Sequence, residues 1–207
     1  YFRLAGTLLD PNFTGVIIAS VAIYFIFLGR LKIATLLIIP LALTFSRASY
    51  LSFLIAFVYG FIAQRKANWK PVLLLPLLTI LIYLIPKPFG EGVNLLRTFS
   101  IFSRLQSWQS AISLFLAHPL FGNGSNLLNG SRIAIDNSYL YILATSGILG
   151  LLAYLNFLKK VLSSLPLEKK AFVVTILIHS MFNNSFLYIW ILFAFWLVLG
   201  LKTKEYS

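Results

Sequence analysis

Apolar residues fall along this chain in long runs, rather than in the alternation of a half-buried strand or the single stripe of a soluble helix. A helix across a hydrocarbon layer takes about 20 residues, fewer where neighbours and flanking side chains help. About seven runs meet that requirement or come near it, roughly 13–29, 31–46, 48–64, 71–86, 138–158, 170–183 and 185–201. The last two are short enough that a re-entrant pair is an alternative to two spans. Pro40 and Pro76 lie inside their runs, where each removes a backbone donor and is expected to kink its helix.

The segment 87–137 breaks this pattern, and within it the spacing predicts an amphipathic helix over 101–117. Ile101, Leu105, Trp108, Ile112, Phe115 and Leu116 form one stripe, and Ser103, Gln106, Ser107, Ser110 and Ser113 face the other way. Arg104 stands at the border, one turn before Trp108. Such a helix lies along a membrane interface or docks its apolar stripe, Ile101, Leu105, Trp108 and Ile112, over the mouth of a bundle. It ends at His118-Pro119, after which Gly122 and Gly124 supply a tight turn.

Composition fixes the setting of these runs. Hydrophobic residues make up 59% of the 207 positions and charged residues 11%, with a mean hydropathy of +0.90, far from a soluble average of roughly a quarter charged. The expected fold is all-α: a polytopic transmembrane bundle of about seven spans, with an external amphipathic helix in a long loop. No internal repeat and no Ser/Gly-rich linker divides residues 1–207, which read as a single membrane domain. The chain opens at Tyr1 with neither an initiator Met nor a basic leader, and is read as the C-terminal part of a longer polytopic protein. Absence of cysteine excludes disulfides, thiolate metal sites and a cysteine nucleophile.

The net charge of +12 matters less than where the cations fall. Arg30, Lys32, Arg65, Lys66, Lys70, Lys159, Lys160, Lys169, Lys170, Lys202 and Lys204 collect on one side of the spans. Arg3, Arg47, Lys87, Arg97, Arg104 and Arg132 collect on the other, eleven against six. Cytoplasmic loops hold the excess, so the N-terminal segment and the loop 87–137 are expected outside. The inner set is mostly lysine and the outer set mostly arginine. Lysine suffices as a topology signal, whereas arginine offers a planar fork for phosphate or carboxylate. Only Asp10, Glu91 and Asp136 are acids of the outer side, too few to pair its six cations, which leaves some arginines for an anionic ligand or for lipid phosphate.

Individual residues sharpen this. Ser46-Arg47-Ala48-Ser49 interrupts two apolar runs so briefly that Arg47 must sit near the outer boundary, facing protein or a wet cavity. Asp136-Asn137-Ser138-Tyr139-Leu140 opens the fifth run. An acid there reads first as a helix N-cap and, beside arginines, as a candidate base. Gly147 and Gly150 allow close helix contact further along. His118 reads as a cap at a helix end, and His179, near Asn183 and Asn184, as a partner in an interhelical hydrogen bond. Neither histidine has metal-site spacing. The sequence shows no closely spaced carboxylate pair of the kind an oxygen-ligated divalent ion wants.

The order of these pieces resembles the C-terminal half of the bacterial O-antigen ligase and O-antigen polymerase superfamily. The matching pieces are Gly6 to Gly15 with Asp10-Pro11-Asn12, then Ser46-Arg47, then Arg104 through Trp108 to His118-Pro119-Leu120-Phe121-Gly122-Asn123-Gly124, and last Asp136 to Leu140 with Gly147 and Gly150. The resemblance implies a glycosyltransferase of the bacterial inner membrane with its active face external, or periplasmic. It would take a glycan from a polyprenyl-pyrophosphate carrier and join it to a saccharide or a lipid-linked acceptor, without metal or other cofactor and with no nucleic-acid partner. It further implies that Arg47 and Arg104 hold the pyrophosphate and, with Asp136, form the catalytic set. Arg97, Trp108, Asn137 and Tyr139 complete the residues expected to bind substrate. In the ligase branch a histidine stands where this chain has Asp136. A carboxylate is a weak base at neutral pH and is better suited to orienting an acceptor. That departure favours a polymerase for O-antigen or exopolysaccharide over a ligase to lipid A core. An anion or lipid transporter and a purely structural membrane subunit are the alternatives from other classes. A transporter would call for repeats or a mid-span acid, which the sequence lacks.

Overall fold

A computed structural model describes residues 3–64, 69–86, 93–95, 98–124 and 135–201, and all regular structure among them is helical. The helices are α1 (Pro11–Phe27), α2 (Leu31–Leu43), α3 (Arg47–Ala63), α4 (Leu74–Leu84), α5 (Phe99–Ala117), α6 (Ser138–Ser164), α7 (Leu167–His179) and α8 (Ile189–Gly200). Every apolar run read from the sequence coincides with one of them. By length and composition, α6 alone among the described residues is long and apolar enough to cross a membrane, while the other apolar helices are shorter.

Local chemistry explains the helix starts. Pro11 occupies the first turn of α1, where its missing donor costs nothing, and the Asp10 carboxylate accepts from the backbone N–H groups of Asn12 at 2.6 Å and Phe13 at 3.3 Å. At α3, Ser46 is the cap and its Oγ accepts from the Ser49 N–H at 3.4 Å. The reversal between α2 and α3 passes through Phe45, a buried side chain on a backbone with φ of 46°. Pro76 does not kink a span as expected: α4 begins only at Leu74, so the proline falls in the first turn, where no donor is needed.

The core sits where α1, α3 and α7 meet, α2 flanking α1 and α4 flanking α2. Ile23, Ile38, Leu41 and Phe53 fill one half and Phe172, Ile176, Ile191 and Phe195 the other. The outward faces are apolar as well, with Leu36, Ile62, Tyr83 and Phe193 exposed. The starts of α1, α3 and α6 converge with α5 and the 180–188 segment on one end of the bundle. The buried Lys169 marks the other end, donating from Nζ to the carbonyls of Leu199 at 2.9 Å and Leu201 at 2.5 Å.

The segment after α5 is built into a break in α6. Gly147 leaves the helix at φ 65° and ψ −167°, so the backbone groups around it lose their helical partners. The turn 119–123 replaces them: Ile148 N–H donates to Pro119 O at 2.9 Å, and Asn123 N–H donates to Ala144 O at 3.0 Å. Asn123 Nδ2 also bridges Leu114 O at 2.7 Å and Ala144 O at 3.1 Å. A Cβ at Gly147 would lie 2.2 Å from Leu120 O. The glycine read as a place of close helix contact is thus a place where a turn enters a helix. Gly147→Ala combines a positive-φ penalty with a backbone collision, so we expect it to lower the thermal unfolding midpoint of the detergent-solubilised protein and to abolish its activity. An unchanged midpoint would mean that the turn is not seated there.

Candidate functional site

A cavity of about 340 Å³ opens at the end of the bundle where these starts converge. Asp10, Asn12 and Phe13 from the start of α1 form one wall. Phe99, Ser100, Ser103 and Arg104 from α5 form another, and Asp136, Asn183 and Asn184 close it. The lining joins carboxylate, amide and hydroxyl groups and one guanidinium to the rings of Phe13 and Phe99, a mixture suited to polyhydroxylated molecules and anions. Asp10 was not among the expected site residues, and only the fold brings it to the same cavity as Asp136. Among the described residues, no group of three His, Cys, Asp or Glu side chains is gathered as a metal centre.

Arg104 is anchored on a neutral group, its Nη2 donating to Asn183 Oδ1 at 3.4 Å. Burial pushes its pKa down, Asp136 opposes that shift and the nearby charge of Arg47 adds to it. Guanidinium titrates so far above neutrality that Arg104 remains a cation. Arg47 meets α5 one turn before Arg104, with one nitrogen donating to Leu95 O at 3.0 Å and another to Ser100 Oγ at 2.6 Å. The fold therefore brings the two arginines to the same stretch of α5, Ser100 to Arg104. Arg104 faces the cavity, and Arg47 reaches it through Ser100. Of the other expected cations, Arg97 and Arg132 lie outside the described residues, as do Lys87 and the acid Glu91.

Asp136 departs from its first reading. The cap of α6 is Asn137, whose Oδ1 accepts from the N–H groups of Tyr139 at 2.9 Å and Leu140 at 3.0 Å. The Asp136 side chain is one residue too early to cap and lines the cavity instead. Its position is fixed by its backbone, whose N–H donates to Ser107 Oγ at 3.0 Å on α5. Burial raises the Asp136 pKa, Arg104 lowers it and Asp10 raises it further. Burial is the largest of these causes, so the carboxylate titrates above the ordinary range and is a better proton acceptor than an exposed one.

Of three other expected residues, Asn137 and Tyr139 have structural hydrogen-bond partners and the buried Trp108 Nε1 has none among the described residues. Asn137, besides capping, donates from Nδ2 to Met181 O at 2.8 Å. The Tyr139 hydroxyl donates to Leu177 O at 2.9 Å, which turns the ring toward α7 and away from the cavity. Trp108 lines a smaller apolar slot with Ile101, Leu105 and Phe182, reached only by Arg104 from the main cavity's lining. Of the two expected placements for the apolar stripe of α5, docking over the bundle mouth is met only in part, where Trp108 turns toward Phe182. Ile101 is 46% exposed, Ile112 45% and Leu116 67%, whereas Ala111 is buried and Arg104, Ser107 and Leu114 face the protein. The side of the helix that faces the protein runs along the border of the two predicted faces, through Arg104, Ser107, Trp108, Ala111, Leu114 and Phe115, while Ser103, Gln106 and Ser113 stay exposed.

The interhelical hydrogen bond expected of His179 is present, as part of a wider polar network beneath the cavity that the sequence did not show. His179, fully buried, places Nδ1 2.6 Å from Ser185 Oγ and Nε2 3.3 Å from both Ser49 Oγ and Asn183 Nδ2. Ser49 Oγ continues to Ser46 Oγ at 2.8 Å, and Ser46 Oγ donates to Asn12 Oδ1 at 3.1 Å. Asn12 Oδ1 also accepts from Arg3 Nη2 at 3.0 Å. Gly15 permits the approach of α3 to α1 here, since a Cβ would lie 2.5 Å from Ser49 Oγ. Ser138 Oγ donates to Asn184 Oδ1 at 3.1 Å and accepts from Phe186 N–H at 3.2 Å, tying the start of α6 to the 180–188 segment.

A family model described as O-antigen ligase matches residues 32–155. The matched segment holds Arg47, Arg104, Trp108 and Asp136, and leaves Asp10, Asn12, His179 and Asn183 outside it. No curated protein and no solved structure matches the chain.

Proposed function

The chain belongs to the O-antigen ligase family, whose members are inner-membrane proteins of O-antigen ligase or polymerase type, and on that premise we propose that it polymerises lipid-linked oligosaccharide units. In this reading the spans form one membrane domain of a longer protein, and the cavity opens on the external, periplasmic face. The donor is a glycan on polyprenyl pyrophosphate, and the acceptor is a saccharide of a growing O-antigen or exopolysaccharide chain. The exposed apolar faces of α2, α3, α4 and α8 support the membrane setting, since they offer hydrocarbon a solvent-matched surface. The excess of lysine and arginine in the alternate loops, eleven against six, supports the orientation.

The observation that carries the proposal is Arg104 and Asp136 lining one cavity from different elements. An acceptor hydroxyl attacks the anomeric carbon, the bond to the carrier oxygen breaks, and the pyrophosphate departs with the bonding pair. The acceptor's proton leaves to a base or to water. Arg104, with Arg47 beside it, stabilises the charge gathering on the departing phosphate. Asp136 orients the acceptor hydroxyl and, with its raised pKa, accepts its proton as the bond forms. A cationic guanidinium in the position of charge development supplies what a divalent ion would, which supports a metal-independent reaction. A carboxylate where the ligase branch has histidine supports polymerase over ligase.

The test is reconstitution of the full-length protein in liposomes with a polyprenyl-pyrophosphate glycan, in the presence of a chelator. A ladder of extended lipid-linked glycans that persists with chelator is the expected result. Transfer only to a lipid A core acceptor would make the protein a ligase. Movement of the lipid or of an anion across the bilayer without glycosidic bond formation would replace the enzymatic reading with a transporter.

A further inference from the structure

We propose that His179 is a positioning residue for Arg104, acting through the side-chain amide of Asn183 and dependent on one tautomer of its own imidazole. The inference rests on the donor-site reading of Arg104 given above.

An asparagine amide has two ends of nearly equal shape and opposite hydrogen-bonding sense. Arg104 Nη2 stands at one end of Asn183, at 3.4 Å from Oδ1, and His179 Nε2 at the other, 3.3 Å from Nδ2. Were the amide reversed, its NH₂ would face a guanidinium that has only donors, and the oxygen would face the ring. The arrangement that satisfies every group therefore has Oδ1 toward Arg104, Nδ2 donating to Nε2 and the imidazole proton on Nδ1. That Nδ1–H has an acceptor in place, Ser185 Oγ at 2.6 Å. The chain Ser185, His179, Asn183, Arg104 runs in one direction, each donor meeting an acceptor. All but Arg104 are buried, so a reversed link would leave unsatisfied groups away from water.

The consequence is a fixed guanidinium. An arginine side chain has several rotatable bonds and little reason to hold one posture in an open cavity. Asn183 gives it an acceptor on the cavity wall, and His179 stops that acceptor from rotating away. Ser49 Oγ, also 3.3 Å from Nε2, gives its one proton either to the ring or to Ser46 Oγ, and sets the ring against the start of α3, which carries Arg47. One buried imidazole thus references both arginines to a common frame.

The experiment uses the full-length protein in proteoliposomes and glycan-free polyprenyl pyrophosphate as the probe. His179→Leu is expected to raise its Kd about tenfold, the loss of one charge-assisted contact. His179→Gln, whose Oε1 reaches the place of the accepting Nε2, should recover most of that affinity. In an Arg104→Gln background, His179→Leu should change the Kd less than about twofold, because the path by which it acts is gone. Where His179→Leu does not accumulate, Asn183→Leu against Arg104→Gln gives the same cycle. ¹⁵N spectra of the labelled protein, with the His179 signals assigned by their loss in His179→Gln, should show His179 protonated on Nδ1 and bare on Nε2. A shift toward the other tautomer is expected in Arg104→Gln. Equal losses in both backgrounds, or a wild-type proton on Nε2, would overturn the proposal. Failure of the wild type to bind the probe, with the tautomer and its shift as stated, would overturn the donor reading and leave the relay standing.

Discussion

Arg104→Lys is expected to reduce glycan extension on the order of a hundredfold while the protein still inserts and accumulates, the scale of losing one preorganised donor to a transition-state anion. Lysine keeps the positive charge but loses the fork. It can no longer hold Asn183 Oδ1 with one nitrogen while presenting another to a phosphate oxygen. Burial makes the exchange worse, because the surroundings that depress the Arg104 pKa leave guanidinium charged but would carry an ammonium toward neutrality. Arg47→Lys should cost less, on the order of tenfold, since Arg47 is already engaged with Leu95 O and Ser100 Oγ and stands behind the cavity wall. Initial rates of chain extension, normalised to membrane abundance, measure both. Full activity in the two lysine variants would remove the arginines from the mechanism.

How far these roles could be read in advance differs from residue to residue. Apolar run length located every helix of the bundle, because in a chain this hydrophobic the runs end only where polar side chains or turns intervene. Orientation within the bundle was a different matter. Period alone placed Ile101, Leu105 and Ile112 on one stripe of α5 but could not say whether the stripe met protein or its surroundings, and it is the border through Arg104, Ser107 and Ala111 that faces the protein. The cap of α6 shows the same limit at one-residue scale. Asp136 and Asn137 are both good caps, and the choice of Asn137 follows from its second bond to Met181 O, a contact across the bundle. Asp10 and His179 are distant in sequence from the arginines they accompany. The one signal available for them was the polar residue itself, set at the edge of an apolar run where it would otherwise be costly.

Asp136→Asn should abolish chain extension without loss of stability, and with a small gain at neutral pH. The sign follows from the shift. Burial raises the carboxyl pKa in the folded protein, so the native state holds the proton more tightly than the unfolded chain. Stability from this group is therefore complete below the unfolded value and declines as pH rises through the folded one, leaving the ionised carboxylate a net cost at neutrality. Asparagine removes that cost and leaves the α6 cap untouched, because Asn137 supplies it. Activity moves the other way: the wild-type rate should fall with acidification at a pH above the ordinary carboxylate range, and the residual rate of the variant should show no such limb. A variant that extends chains normally would reduce Asp136 to a wall of the cavity, and a variant that fails to accumulate would make its role structural. Asp136→His carries the comparison into the ligase branch. An imidazole there is the stronger base at neutral pH, and gain of transfer to a lipid A core acceptor would mean that this one position, more than the cavity around it, selects between extending a glycan and handing it on.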